Sequence, residues 1–196
     1  MLNIGDDWYI FYHRQTNQHS YSRQACAEKI VRKAEGVFEQ AEVTSCGLNG
    51  GPLLGKGRYE ARIACNLWSK NGVGRYDGSG VRKKLKAHPY FTQTGKDRLT
   101  AGDQYIKNMQ DMAVAGFKYF CFEATTSIAV EVKGSQGKIE IATDEAFKEC
   151  IGIVDIEQKE NYTEYIVSIE SLSGVYPLYF RYRGAGAIDF RAVTLR

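Results

Sequence analysis

The chain has 196 residues, of which 43% are hydrophobic and 25% are charged, a composition that excludes a disordered chain and fits one or two small globular domains. The 20 glycines, 13 tyrosines and only 3 prolines favour an all-β protein with many tight turns. A net charge of +3 is too small to indicate a nucleic-acid partner, and no apolar run is long enough to cross a membrane.

The first part of the chain contains strand-like segments followed by a glycine-rich connector. Residues 8–12 are aromatic and apolar throughout, which is typical of a buried strand. Residues 22–30 and 38–44 are further strand candidates. Because residues 47–57 hold five glycines and a proline, we predict a first unit at 1–46, a connector at 47–57 and a second unit at 58–196.

From residue 58 onward the pattern becomes a series of short strands. Ile128, Val130 and Val132 alternate with polar residues and so share one face. A single helical turn is predicted at 104–109, and residues 88–91 form an apolar island within a loop-like region. Strands with this spacing predict a β-sandwich or jelly roll. The predicted strands are 59–67, 116–122, 127–133, 138–143, 150–155, 162–168, 177–183 and 187–195.

The cysteines and the charged residues indicate no metal or phosphate chemistry. The five cysteines are irregularly spaced and include no CxxC pair, which argues against a zinc or redox motif. Their odd number favours free thiols in a reducing, cytoplasmic compartment. The basic cluster at 82–86 is expected to be a solvated loop. Since a strand begins within ten residues of the start, we expect the natural N-terminus to lie further upstream.

The residues define no self-contained active site. Glycoside hydrolysis requires two carboxyl groups across a glycosidic bond, and no acid here stands out as one of them. The serines lack a G-x-S-x-G context, and the glycines at 47–57 do not form a P-loop. A tyrosine-rich sandwich does suit sugar binding, because the flat C–H faces of pyranoses stack on aromatic rings.

Three segments, WYIFYHRQTN (8–17), SRQACAE (22–28) and EVTSCGLNGGPL (42–53), resemble the end of the catalytic domain of glycoside hydrolase family 43. That family comprises five-bladed β-propellers, mostly β-xylosidases and α-L-arabinofuranosidases. The resemblance implies that the chain begins with strands left over from the last blade. His13 matches a histidine that points to the central channel near a metal or water. The catalytic carboxylates of the family lie on earlier blades, so the resemblance implies no catalytic residue here and no metal site at His13 alone.

The segments QYIKN (104–108), GFKYF (116–120), GKIEI (137–141), LYF (178–180) and AIDF (187–190) resemble carbohydrate-binding module family 6. The resemblance implies that Tyr105 and Tyr162 form the two walls of a sugar-binding cleft. Ala187 replaces the asparagine that usually binds sugar hydroxyls, which is a departure from the family. A structural calcium is also implied, with Asp189 and Glu60 as ligands.

Three hypotheses for function follow. The first is a non-catalytic module of a hemicellulose-degrading glycoside hydrolase that binds xylan- or arabinan-type chains weakly. The second is a structural accessory sandwich that packs on the propeller and binds no sugar, which the Ala187 replacement favours. The third is a glycosidase fragment with residual hydrolase activity. Because the leftover propeller strands expose unpaired edges, we also expect a homodimer formed through them.

Overall fold

A computed structural model describes residues 1–18, 22–73, 86–95 and 103–196 of the chain, so the basic cluster predicted at 82–86 lies almost entirely outside the described residues. The described residues form strands and two short 3-10 turns, at Gly47–Asn49 and Ala61–Ile63. None of them forms a helix with the length and apolar character needed to cross a bilayer. The strands are β1 (Leu2–Ile4), β2 (Asp7–Gln15), β3 (Arg23–Ile30), β4 (Leu53–Leu54), β5 (Gly57–Glu60), β6 (Asn66–Trp68), β7 (Tyr90–Gln93), β8 (Gln104–Gln110), β9 (Val114–Gly134), β10 (Gly137–Ala142), β11 (Cys150–Ile156), β12 (Lys159–Arg183) and β13 (Ala187–Leu195).

The first three strands form an antiparallel sheet in the order β1-β2-β3, which we call the small sheet. Tyr9 and Ile30 are buried on opposite faces of it, because Ile30 stands opposite Trp8, and the Trp8 ring packs edge-on against Phe38 at 5.2 Å. The strand predicted at 38–44 is wrong, because only Phe38 pairs, in an isolated bridge with Arg32, and residues 39–44 form no strand. Side chains hold this segment instead: the buried Glu28 carboxylate accepts hydrogen bonds from the backbone N–H and the hydroxyl of Thr44.

The remaining strands form one large sheet that folds into the two layers of a sandwich, as predicted. The main path is β11-β10-β12-β9-β13-β8-β7, with β4, β5 and β6 added at its sides. Strands β9 and β12 are 21 and 25 residues long and pair along most of their length, so each belongs to both layers. Their register shifts at several bulges, which let the paired strands bend from one layer into the other.

The core lies between these two layers and is almost entirely apolar. Phe117, Phe180 and Phe190 meet at its centre in edge-to-face contacts, with ring centroids 5.4 to 6.2 Å apart. Burying one large apolar side chain favours the folded state by about 1.5–3 kcal/mol, and each of these three rings contributes on that scale.

The helical turn predicted at 104–109 is wrong, because these residues belong to β8. Ile106 and Met109 are both buried, although a regular strand would place residues three apart on opposite faces. Asn108 explains the difference, since its φ of +64° places an irregularity between them. The extra residue returns Met109 to the core side, so the apolar spacing imitates a helix.

The small sheet is bonded directly to the sandwich through Arg14. The Arg14 guanidinium donates hydrogen bonds to the carbonyl oxygens of Ala64, at 2.5 Å, and of Arg62. Its planar face lies 3.6 Å from the centre of the Phe91 ring. Burial lowers the pKa of Arg14. A single side chain of the small sheet therefore contacts two separate segments of the sandwich.

A second set of contacts joins the segment after β3 to strand β9. The backbone N–H of Ser45 donates to the Lys118 carbonyl at 2.5 Å, and the Ser45 hydroxyl accepts from the Lys118 N–H. The Glu42 carboxylate accepts hydrogen bonds from the Lys118 ammonium and from the Tyr119 hydroxyl, each at 3.0 Å. Within the predicted connector, Leu53 and Leu54 already pair with β9. The boundaries at 1–46, 47–57 and 58–196 stay a prediction.

Candidate functional site

The structure brings the two predicted sugar-binding tyrosines together on the outer face of one sandwich layer. Tyr105 lies on β8 and Tyr162 on β12, and their rings meet edge-to-face with centroids 5.9 Å apart. Tyr105 is only 7% exposed. Two cations cover the other ring: the Lys133 ammonium is 4.8 Å and the Arg191 guanidinium 4.2 Å from the centre of Tyr162.

A network of charges surrounds this tyrosine pair. Arg191 forms an ion pair with Glu131 and another with Asp103 at 3.3 Å, and Arg58 reaches Glu131 at 2.6 Å. Burial raises the pKa of Tyr162, and the nearby charge of Asp189 raises it further. The Tyr162 hydroxyl is buried and has no hydrogen-bond partner among the described residues. A pyranose that stacks on this ring would therefore compete with these cations for its surface.

The position of the missing asparagine lies elsewhere. Ala187 lines a cleft of about 450 Å³ at the end of the sandwich, together with Gln110 and Asp111. In the sheet it stands opposite Gln110, five residues along β8 from Tyr105, which is roughly 16 Å of strand. The described lining of that cleft includes no aromatic side chain. The structure therefore separates residues that the resemblance placed in one cleft.

The predicted calcium ligands also lie apart. Glu60 stands opposite Ala192 in the β5–β13 pair, and its carboxylate is bonded to Arg62. Asp189 accepts a hydrogen bond from the Asn108 backbone at 3.2 Å. The described residues contain no group of three or more His, Cys, Asp or Glu side chains that could hold a metal ion. Since Ca²⁺ also accepts backbone carbonyl and water oxygens, the calcium site with Asp189 and Glu60 stays a prediction.

The cysteines agree with the prediction of free thiols. Cys26, Cys46 and Cys65 are half-buried near the junction of the small sheet and the sandwich, and Cys121 and Cys150 are exposed. All five are described by the structure, and none forms a disulfide. Burial raises the pKa of the Cys65 thiol, which disfavours the reactive thiolate. The cytoplasmic location stays a prediction.

Comparison with known proteins gives one strong relative in sequence. No family model matches the chain. The chain is 41% identical over 199 aligned residues to a protein named xylosidase/arabinosidase from Thermoclostridium stercorarium. The alignment covers 100% of this chain and 41% of that protein. The chain therefore spans less than half the length of this curated relative.

Solved structures define the fold. A family 43 arabinoxylan arabinofuranohydrolase from Bacillus subtilis, solved in complex with cellotetraose, matches 99% of this chain and 39% of its own, with a TM-score of 0.63 and 18% identity. A family 6 carbohydrate-binding module from Clostridium cellulolyticum, in complex with xylose, matches 72% of this chain and 98% of its own, with a TM-score of 0.54 and 14% identity. A β-1,3-glucan-binding family 6 module from Bacillus halodurans matches 74% of this chain and 99% of its own, with a TM-score of 0.56 and 16% identity.

These matches define the class of the protein: an all-β chain that carries a sandwich of the family 6 carbohydrate-binding-module type behind strands of a propeller. Within that class, the predicted resemblance to the C-terminal part of a family 43 glycoside hydrolase of the xylosidase/arabinosidase type is confirmed. The resemblance extends over the whole chain, including the small sheet.

Proposed function

We propose that this chain is the non-catalytic C-terminal part of a hemicellulose-degrading glycoside hydrolase and that its sandwich binds xylan- or arabinan-type chains weakly. The observation that carries the proposal is the complete sandwich, whose fold is shared with modules solved in complex with sugars. The whole-length identity to a xylosidase/arabinosidase supports the substrate class. We expect weak affinity, because few exposed aromatic faces are available to offset the cost of ordering a flexible polysaccharide.

The experiment is a calorimetric titration of the chain with xylo- and arabino-oligosaccharides. Tyr162→Ala tests the predicted tyrosine pair, and Tyr176→Ala is its matched control, because Tyr176 is an exposed tyrosine on the same strand that makes none of these contacts. Saturable heat with any of these sugars supports the proposal. The absence of heat with all of them would refute sugar binding and leave the structural role described below.

Calcium is a separate variable in that titration. Because the Glu60 carboxylate is bonded to Arg62 and the Asp189 carboxylate to the Asn108 backbone, we expect the melting temperature and the binding heat to be the same with calcium and with a chelator. A rise in melting temperature on adding calcium would reveal a site built from other residues.

The second candidate function is a structural accessory sandwich that packs on the catalytic propeller and binds no sugar. The docking contacts of Arg14 and Ser45 favour it, because a module on a loose tether would not need hydrogen bonds at 2.5 Å to two segments of its neighbour. The two functions are compatible, since a docked sandwich can also bind sugar. Residual hydrolase activity is the third candidate, and arabinose or xylose released from arabinoxylan by this chain would support it over the other two.

A homodimer is proposed for the chain in isolation. Leu2, Ile4 and Phe11 of the small sheet are 45 to 55% exposed, which leaves apolar surface available for a second copy. Sedimentation equilibrium should show a dimer, and Phe11→Ser should shift it toward monomer. A monomer at all concentrations would overturn this proposal.

A further inference from the structure

A cleft of about 430 Å³ lies where the small sheet meets the sandwich. One wall comes from the end of β2 and includes Arg14 and Gln15, and the other comes from the sandwich and includes Asn66, Trp68 and Tyr90. We call it the junction cleft. Its volume falls within the range of about 300–1,000 Å³ that is typical of small-molecule sites. It contains neither of the two predicted tyrosines, nor Ala187.

Aromatic rings form the apolar part of the junction cleft. Trp68 packs against Tyr179 at a centroid distance of 6.1 Å and also borders the cleft, where it is only half-buried. Tyr90, at the start of β7, is half-buried as well. No cation is found over either ring among the described residues. A sugar on these rings would therefore not compete with a described cation, as it would on Tyr162.

Polar groups stand beside these rings. Gln15 and Asn66 bring side-chain amides, each of which has donors and an acceptor suited to hydroxyl groups. The His88 ring also borders the cleft, and its Nδ1 is held 2.9 Å from the Ser69 hydroxyl. An aromatic platform with a few fixed polar partners is the arrangement that a pyranose requires.

The charge of the cleft selects a neutral ligand. Its described lining includes no carboxylate, and Arg14 is the one arginine or lysine there. The Arg14 guanidinium already donates to Gln24 and to two backbone carbonyls, and its face is stacked on Phe91. Three of its five N–H donors are therefore engaged, one of them within the small sheet, and the lack of any other lysine or arginine in the described lining favours a neutral ligand.

We propose that the junction cleft is a second binding site, for a neutral pyranose oligosaccharide of the xylan type, with Trp68 as its stacking platform and Gln15 as a hydrogen-bonding partner from the opposite wall. The choice of sugar rests on the proposed function, whereas the site itself rests on the geometry of the cleft. Because the two walls belong to different sheets, a sugar bound there bridges the small sheet and the sandwich and favours their docked arrangement.

The test is a titration of the full chain with xylotriose, followed by calorimetry. Trp68→Ala should weaken binding at least tenfold through loss of the stacking surface, and Gln15→Ala should weaken it about two- to tenfold through loss of one hydrogen bond. Tyr176→Ala, at an exposed tyrosine outside the cleft, is the control and should change the affinity less than twofold. In a Trp8→Phe background, the fluorescence of Trp68 should change with saturation.

The outcomes separate this site from the function on which it rests. Binding that survives Trp68→Ala and Gln15→Ala but is lost in Tyr162→Ala would overturn the junction cleft and leave the sugar-binding function standing. The absence of binding by the unmodified chain would overturn both. If Trp68→Ala does not fold by circular dichroism, Gln15→Ala and Tyr90→Ala decide in its place, and unchanged affinity in both would overturn the site.

Discussion

Replacement of Arg14 by alanine should release the small sheet from the sandwich without unfolding the sandwich itself. Arg14 sits on β2, yet its hydrogen bonds to Arg62 and Ala64 and its stacking on Phe91 all cross the junction. Other described contacts also cross the junction: the Asn17 N–H donates to the Phe91 carbonyl at 2.8 Å, the Gln24 amide donates to the Arg62 carbonyl at 3.3 Å, and the segment after β3 is bonded to β9. The substitution therefore removes one of several attachments.

The magnitude follows from the contacts that are lost. Each hydrogen bond from a charged donor contributes about 1.5–3 kcal/mol, and a partly desolvated cation–π contact about 1–2 kcal/mol, which gives a gross loss of about 4–8 kcal/mol. The variant also avoids the cost of burying a charged guanidinium, a cost that is visible in the lowered pKa of Arg14. We expect a net weakening of docking by about 2–4 kcal/mol, or roughly 30- to 700-fold.

The chain's two tryptophans make the assay selective. Trp8 packs on Phe38 in the small sheet, and Trp68 packs on Tyr179 in the sandwich. Single-tryptophan chains, made with Trp68→Phe or Trp8→Phe, report the two parts separately during urea unfolding. We expect the two transitions to coincide in the otherwise unmodified chain. In Arg14→Ala the Trp8 transition should move to lower urea, while the Trp68 transition stays.

Arg14→Lys is the matched control, because it keeps the charge but loses the planar fork that reaches two carbonyls at once. The Trp8 transition of Arg14→Lys should lie between those of the unmodified chain and of Arg14→Ala. A Trp8 transition that moves by less than about 0.5 kcal/mol in Arg14→Ala, the range of ordinary surface substitutions, would refute the reasoning. The structural accessory function would then lose its main support.

Three further predictions concern stability. Glu28→Ala leaves the two half-buried donors of Thr44 without their acceptor. It should cost about 3 kcal/mol, seen as faster hydrogen exchange in residues 31–46, and unchanged exchange there would contradict it. Gly134→Ala should lower the free energy of unfolding by at least about 2 kcal/mol, because its φ is +123° and an added Cβ would lie 2.4 Å from a backbone oxygen. Gly72→Ala is the control, since a Cβ there would meet open space, and it should lower the free energy of unfolding by less. Burial raises the pKa of Glu131, but hydrogen bonds from Arg191 and a second arginine outweigh it and hold the pKa below its ordinary value of 4.5. The stability that the ionised Glu131 contributes is therefore present above pH 4.5 and lost as the pH falls below it. The difference in unfolding free energy between the unmodified chain and Glu131→Gln should accordingly shrink in acid. A difference that stays constant down to pH 3 would contradict this.

The fold could be predicted well from the sequence, and the errors have identifiable causes. Alternation of apolar and polar residues predicted most strands of the sandwich, because one face of each strand is buried. It failed at β8, where the irregularity at Asn108 imitates helical spacing. It also divided β9 and β12 into shorter strands, because Gly174 and Ala124 adopt positive φ at bends that the pairing passes through. Local patterns do not report such bends, since the partner strand maintains the pairing across them.

The candidate sites were harder to predict, because a sequence identifies an aromatic residue but not what covers it. Tyr105 and Tyr162 are aromatic and adjacent, as the resemblance implies, yet the cations over Tyr162 come from β9 and β13 and occupy the surface a sugar would need. The role proposed for Trp68 could not be predicted from the sequence, because its cleft exists only where residues near position 15 meet residues near position 90 in the fold. Arg14 helps to create that meeting, and it also borders the cleft while three of its N–H donors are engaged and its face lies on Phe91. The contact that fixes the sandwich to the small sheet thus also shapes the cleft. If this is right, Arg14→Ala should weaken the binding of xylotriose as well as docking, although no part of Arg14 needs to touch the sugar.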